Sequence, residues 1–323
     1  MSRGREHPAR ADLAALIAHA PLPPHVKALG LTQRARRPAL FVVTYAGSRA
    51  LSALSSAEAP LRAALPEVPM VVRETPGPLR AASYLPRAQG EALTPEQEVL
   101  DPVVLGAQIQ NGAADERSGG YGVGTLGAFY PAPEGGTLLL SNNHVIAAEN
   151  TPDEEHARVG DPIYQAQRGR GRVVARLSAW VPLSPTAPNR ADIASAALLP
   201  ETVFENAFLP PRGRPAPGAT QLAAPRVGQR VFKVGRTSGL TFGTVSAVGA
   251  RVPRVAYGFG SAAFEGSVII EGLNGSTFSA PGDSGSGIYD LKGRLVGFLY
   301  AGDGTITLAC PARASLEALG LLR

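Results

Sequence analysis

Short apolar runs set off by glycine and proline fill the chain from about residue 103 onward. Their hydrophobic positions predict strands over residues 124–129, 137–140, 172–177, 191–198, 230–234, 243–248, 267–271, 285–289 and 294–300. Runs of this length, rich in β-branched residues and bounded by turn formers, are the pattern of an all-β barrel or sandwich. A Pro-rich passage over 205–225, with Pro210-Pro211 and Pro215-Ala-Pro217, divides them into two unequal halves, as two barrels joined by a connector would require. The last element is a helix over 312–321, where Ala312, Leu316 and Leu319 share a face.

The first quarter of the chain follows a different pattern. Pro8 stands near a helix start, and Leu13, Leu16, Ile17 and Ala20 make one apolar face over residues 8–20, enough for a short helix packed on something else. A strand over 39–45, a helix over 57–65 and a strand over 68–73 follow, the strand–helix–strand order of a small α/β unit. Residues 74–102 carry Pro76, Pro78, Pro86, Pro95 and Pro102 without sustained periodicity and read as a linker. The expected organisation is therefore an accessory α/β domain over 1–75, a Pro-rich linker over 76–102 and a β-rich domain over 103–323. No solenoid repeat is visible.

Length and composition narrow the picture. A chain of 323 residues, 44% hydrophobic, is large enough for a main domain of about 200 residues beside a smaller one. The formal charge of +5 comes from arginines scattered along the chain, with only Lys27, Lys233 and Lys292 as lysines, and without a basic block interleaved with aromatics a nucleic-acid partner is not expected. One cysteine, Cys310, excludes an intrachain disulfide and favours a reducing compartment, the cytoplasm. The N-terminal apolar run is broken by Asp12 and His19 and is read as no signal peptide, and no stretch of 18 apolar residues predicts a membrane span.

The chemistry is concentrated in three blocks. Pro281-Gly-Asp-Ser284-Gly-Ser-Gly287 sets a serine in a glycine-rich turn ahead of an apolar strand. Glycines let backbone amides converge on one point, as acyl transfer needs, because donors aimed at the developing oxyanion contribute about 3 to 4 kcal/mol each. The amides of Gly282 and Ser284 are the candidate donors. A serine hydroxyl also needs a histidine base, and that base an acid to set its tautomer. His144, at the end of the run 137–140, and Asp192, at the head of another apolar strand, supply both in the chain order His, Asp, Ser. His7, His19, His25 and His156 are weaker candidates for the base, and Cys310, without a glycine turn to expose it, reads as a buried thiol. Neither a metal nor a cofactor is called for.

These blocks resemble those of chymotrypsin-fold serine peptidases over roughly residues 103–320. Leu140-Ser-Asn-Asn-His144, Val234-Gly-Arg-Thr-Ser-Gly-Leu-Thr241 and Phe278-Ser-Ala-Pro-Gly-Asp-Ser-Gly-Ser286 are similar to disulfide-free bacterial trypsin-like proteins and plant narrow-leaf proteases. The resemblance implies a mainly β, chymotrypsin-like double β-barrel with a small N-terminal α/β domain and a C-terminal helix. It implies an intracellular endopeptidase that acts through His144, Asp192 and Ser284 on a limited set of protein or peptide substrates, with a regulatory protein as a further partner through the N-terminal domain. By the same resemblance Phe278, six residues before the serine, and Tyr300 would line an apolar specificity pocket, unless both are core aromatics, and Asp303 would confer a basic preference if it turned inward. Asp283 would pair with an internal cation in place of a new amino terminus, with Arg236 the candidate. Two other readings stand beside this one: a peptide-binding module without turnover, and a protease that cuts its own linker within 74–102.

Overall fold

The computed structural model describes residues 10–20, 22, 24–46, 68–81, 93–114, 122–166, 170–208 and 221–322. In chain order its elements begin with helix α1 (Arg10–His19) and strands β1 (Val26–Arg34), β2 (Arg37–Tyr45), β3 (Met70–Thr75) and β4 (Arg80–Ala81). Strands β5 (Val103–Leu105), β6 (Gln108–Asn111), β7 (Val123–Thr125), β8 (Ala128–Pro131) and β9 (Thr137–Ser141) follow. A one-turn helix α2 (Asn143–Ile146) leads to β10 (Pro162–Gln165), β11 (Arg172–Trp180), β12 (Ala194–Leu198) and β13 (Phe204–Phe208). The remainder is β14 (Arg230–Gly235), β15 (Gly239–Tyr257), β16 (Gly260–Gly272), β17 (Gly287–Asp290), β18 (Leu295–Gly302), β19 (Ile306–Pro311) and helix α3 (Ala312–Ala318).

The strands form the expected double β-barrel. In the first sheet the order is β7-β6-β10-β11-β12-β9-β8, and its two end strands, β7 and β8, are separated in the chain only by Leu126 and Gly127. The sheet therefore closes on itself around Leu105, Ile109, Leu126, Leu140, Ile163 and Val174. In the second, β14 pairs with both β15 and β17, and the ring β14-β15-β16-β19-β18-β17 is complete. Closure of the second ring pairs each of its six strands on both sides. Helix α3 returns from the second barrel to the first, setting Ala312 and Leu316 into the first core.

The N-terminal strands extend the second barrel. A two-residue turn, Ala35-Arg36 with both residues at positive φ, joins β1 to β2, and β2 runs parallel to β3. β1 in turn pairs antiparallel with β15, Leu29 opposite Arg251 and Leu31 opposite Val248, so the sheet runs on from the barrel through β1 and β2 to β3. Leu13, Ile17, Leu29, Leu40 and Val42 share one apolar cluster with Val231, Val245, Ile270, Phe278 and Val296. The helix expected over 57–65 lies outside the described residues. Among these residues no helix is long and apolar enough to cross a membrane.

Candidate active site

Strand β9 carries the chain to the seam between the barrels, where two asparagines hold the following turn. Asn142 Nδ2 donates to the Asp192 carbonyl at 2.6 Å, and Asn143 Nδ2 donates to the carbonyls of Asn150 and Val181 at 2.9 and 2.7 Å. The turn presents His144, whose Nδ1 lies 2.5 Å from Asp192 Oδ2, while its backbone N–H donates to Oδ1 at 3.2 Å. A second donor reaches that carboxylate: Tyr257 Oη, at the tip of the long β15–β16 hairpin, lies 3.0 Å from Oδ2. The Tyr257 ring stands edge-on to the imidazole, centroids 5.8 Å apart.

This environment sets the protonation of the imidazole. Burial alone would favour the neutral ring, but the Asp192 charge, its hydrogen bond and the nearby Glu149 outweigh it and raise the His144 pKa above the ordinary histidine value. Glu149 follows α2 in a left-handed backbone conformation and accepts from the N–H groups of Gly258 and Phe259, tying the hairpin tip to the histidine loop. Its own pKa is raised by burial. Burial and the charge of Asp192 hold the Tyr257 hydroxyl protonated, so it can only donate to the carboxylate.

The serine turn needs its glycines. Gly282 and Gly285 have φ of +100° and +87°, a region that strains any residue with a Cβ. A side chain at Gly285 would also run into Ser141 Oγ and the Thr125 carbonyl, and one at Gly282 into Thr237. The backbone N–H groups of Asp283, Gly285 and Ser286 are taken by the carbonyls of Ala280, Leu299 and Asp283. Those of Gly282 and Ser284 carry no such bond among the described residues. Thr125 of the first barrel fixes the turn from below: its N–H donates to the Ser284 carbonyl at 2.8 Å and its hydroxyl to the Gly282 carbonyl at 3.0 Å. Gly124 is the spacer, since a Cβ there would collide with both Val145, next to the histidine, and the Ser284 carbonyl. His144 Nε2 and Ser284 Oγ are buried without a hydrogen-bond partner among the described residues, as are the amide oxygens of Asn142 and Asn143 in the same turn, and the two make no hydrogen bond to each other.

Three expectations about neighbouring residues need correction. The cation at Asp283 is Lys233, not Arg236: its Nζ lies 3.1 Å from Asp283 Oδ2, with both side chains fully buried. Arg236 sits in the turn beyond β14 and turns toward the first barrel, where its Nε donates to Gln108 Oε1 at 2.8 Å. Asp283 also accepts from the N–H groups of Thr237, Ser238 and Ala280. Phe278 and Tyr300 do not meet in one pocket, because Phe278 packs in the cluster shared with α1 and β2, while Tyr300 packs on Phe264 in another and hydrogen-bonds to Ser267. Asp303 does turn inward, but Lys27 occupies it in a buried pair at 2.5 Å.

Sequence reasoning missed Tyr257, Glu149, Lys233 and Lys27. Lys233 left a signal: Val231, Lys233 and Gly235 alternate onto the buried face of β14, so a charge at that position must find a buried partner. Nothing local marks Tyr257, whose partner lies 65 residues away in the other barrel.

A family model of the trypsin-like peptidase domain matches residues 126–298. No curated protein matches the chain. Solved structures to which it is similar include one described as a glutamic acid specific serine protease that utilizes a novel histidine triad in substrate binding, at 22% identity over 68% of this chain and 98% of that one, with a TM-score of 0.46. Others are the Cellulomonas bogoriensis chymotrypsin (19% identity, 68% and 96% covered, TM-score 0.44) and an alpha-lytic protease homologue, N4 (20% identity, 68% and 97%, TM-score 0.45).

Proposed function

The chain belongs to the trypsin-like peptidase family and is a serine endopeptidase, and from that premise we propose that Ser284, His144 and Asp192 carry its reaction. The observation that supports this best is the pair of orphaned atoms at the seam. With Nδ1 committed to Asp192, the Nε2 of neutral His144 is a buried acceptor without a partner, and Ser284 Oγ is a donor without one. A peptide bond entering between them gives both atoms work: Ser284 Oγ attacks the carbonyl carbon as its proton passes to His144 Nε2. The oxyanion is met by the free N–H groups of Gly282 and Ser284, and the imidazolium is steadied by Asp192. His144 then protonates the leaving amine, and a water, deprotonated by the same nitrogen, hydrolyses the ester.

Lys233 supplies the internal cation that keeps Asp283, and with it the donor turn, in place without a new amino terminus. The substrates are a limited set of proteins or peptides, and cleavage after lysine or arginine is disfavoured at Asp303, whose carboxylate is already paired with Lys27. The single, buried Cys310 suits a cytoplasmic setting. A fluorophosphonate probe tests the assignment: wild type is expected to form a covalent adduct at Ser284, and Ser284→Ala to form none and to lose peptide hydrolysis by about four to six orders of magnitude. Labelling elsewhere, or undiminished turnover in Ser284→Ala, would remove the nucleophile from this reading.

A further inference from the structure

The loop that leads to Asp192 reaches across to the second barrel. Pro182, Pro185 and Pro188 deny it a regular ladder, so its backbone groups must be paired by a side chain or from outside. Asn189 does both. Its Oδ1 accepts from Ser184 N at 2.9 Å, and its Nδ2 donates to the carbonyls of Ser184 at 2.9 Å, Ala187 at 3.4 Å and Ala263 at 3.1 Å. The contacts to Ser184 and Ala187 close the loop, and the one to Ala263 crosses to β16. The backbone crosses as well: Asn189 N donates to the Ala263 carbonyl at 2.8 Å and Glu265 N to the Asn189 carbonyl at 2.9 Å, a parallel bridge opposite Phe264. Asn189 is buried in spite of its polarity.

What this bridge holds is the arm that serves the acid. β19 pairs with β16 over Val268–Glu271, and the outer hairpin, from Val252 opposite Phe264 to Tyr257 opposite Gly260, extends past that pairing. On its β15 edge the arm meets β4, Arg80 opposite Ala256, and on its β16 edge it meets Asn189. Phe264, at the bridge, stacks on Tyr257 with ring centroids 6.2 Å apart and on Tyr300 at 4.4 Å, and Leu183 of the same loop shares their apolar cluster. Tyr257 then donates to Asp192 Oδ2 at 3.0 Å. The path closes on itself, because Asp192 lies three residues beyond Asn189 and the arm docked at Asn189 returns to that carboxylate. A hydrogen bond weakens steeply as its geometry degrades, and the two ends of this one belong to different barrels, so whatever sets the register between arm and loop sets the bond.

We propose that Asn189 is a positioning residue for the acid of the triad: it docks the β15–β16 arm on the loop that carries Asp192 and so fixes the Tyr257 hydroxyl on Asp192 Oδ2. The proposal rests on His144, Asp192 and Ser284 as the triad and adds the group that places their fourth partner. An amide suits the task because one planar group offers an acceptor and two donors at once, to the loop on one side and to β16 on the other. A displacement of about 1 Å caused far from the reacting atoms is enough to cost about a hundredfold in rate, so Asn189 acts without touching substrate. The titratable groups around the imidazole and its acid are Glu149, Tyr257, Tyr300 and Cys310. Burial holds the last three protonated, which leaves Asp192 and Glu149 as the charges that act on His144.

A double-mutant cycle separates positioning from general support. Asn189→Ala removes the amide, whereas Asn189→Asp keeps the acceptor for Ser184 N and turns an oxygen, not an N–H, toward the Ala263 carbonyl. Each is measured alone and combined with Tyr257→Phe. The readouts are the rate constant, half-saturation and pH dependence of Ser284 labelling by a fluorophosphonate, and the low-field NMR signal of the Nδ1 proton between His144 and Asp192. Alone, each variant is expected to lower the labelling rate constant about tenfold with half-saturation changed less than about twofold, to move the acid limb up and to shift the proton signal. Combined with Tyr257→Phe, each adds less than about a twofold loss and no displacement, because the bond through which it acts is already gone. Equal losses in both backgrounds, no loss in either variant alone, or failure of both variants to fold would make Asn189 a strut between the barrels and overturn the proposal. Labelling of wild type reports on the triad separately: if Ser284 does not react, the catalytic assignment falls too, and if it reacts beside additive losses, only the role of Asn189 falls.

Discussion

His144 illustrates how few charges set the working range of the site. As a base it must be neutral, so activity rises with pH as the ring loses its proton, and every factor that favours the imidazolium moves that rise to higher pH. Burial opposes the charge, yet Asp192 and Glu149 together win, so the acid limb of kcat/KM should have its midpoint above the ordinary histidine value. Glu149→Gln isolates one contribution. The amide oxygen can still accept from Gly258 and Phe259, so the loop keeps its shape while a negative charge disappears. The midpoint should move down, with hydrolysis retained, in a pH profile of peptide turnover. A profile identical to wild type would mean that Glu149 only holds the hairpin.

At the scale of elements, the long β15–β16 hairpin is what carries Tyr257 from one barrel to the acid of the other. Tyr257→Phe keeps the ring and removes one hydrogen bond to a carboxylate, an interaction of about 1.5 to 3 kcal/mol, so kcat should fall roughly ten- to a hundredfold with little change in KM. Because a carboxylate with one donor fewer holds the imidazolium more firmly, the acid limb should also move up. A lower kcat without that displacement would point to general loosening of the hairpin. This arm was hidden in the sequence: only 243–248 and 267–271 were legible as strands, because the intervening register is interrupted by several bulges that scramble the alternation. β1 was missed as well, since Lys27 and Gly30 interrupt its apolar run. Gly30 is there to let β1 approach Ala250, and Lys27 to meet Asp303. Regular strands such as β9, β14 and β18 were legible because their burial follows local pattern. The resemblance points to the turn beyond β14, and so to Arg236, as the cation at Asp283, whereas the buried face of β14 that carries Lys233 supplies it. The serine turn, by contrast, could be read directly, its glycines being demanded by backbone conformation.

For the whole molecule, the decisive feature is that β1, β2 and β3 share one sheet with the second barrel and, together with α1, one apolar cluster. Burying five side chains such as Leu13, Ile17, Leu29, Leu40 and Val42 is worth about 1.5 to 3 kcal/mol each as an upper estimate, together comparable to the net stability of an entire domain. The face they cover includes Phe278, at the start of the segment that leads to Ser284. A freely recruited accessory domain could be removed without harm to the chemistry; a segment that completes the core beneath the nucleophile could not. A chain of residues 76–323 should therefore be poorly soluble, or fold with fluorophosphonate labelling below about a tenth of the full chain, since losses of several kcal/mol exceed what a marginally stable domain tolerates. Soluble, fully reactive 76–323 would show instead that the barrels stand alone and that the N-terminal strands serve only recruitment or control.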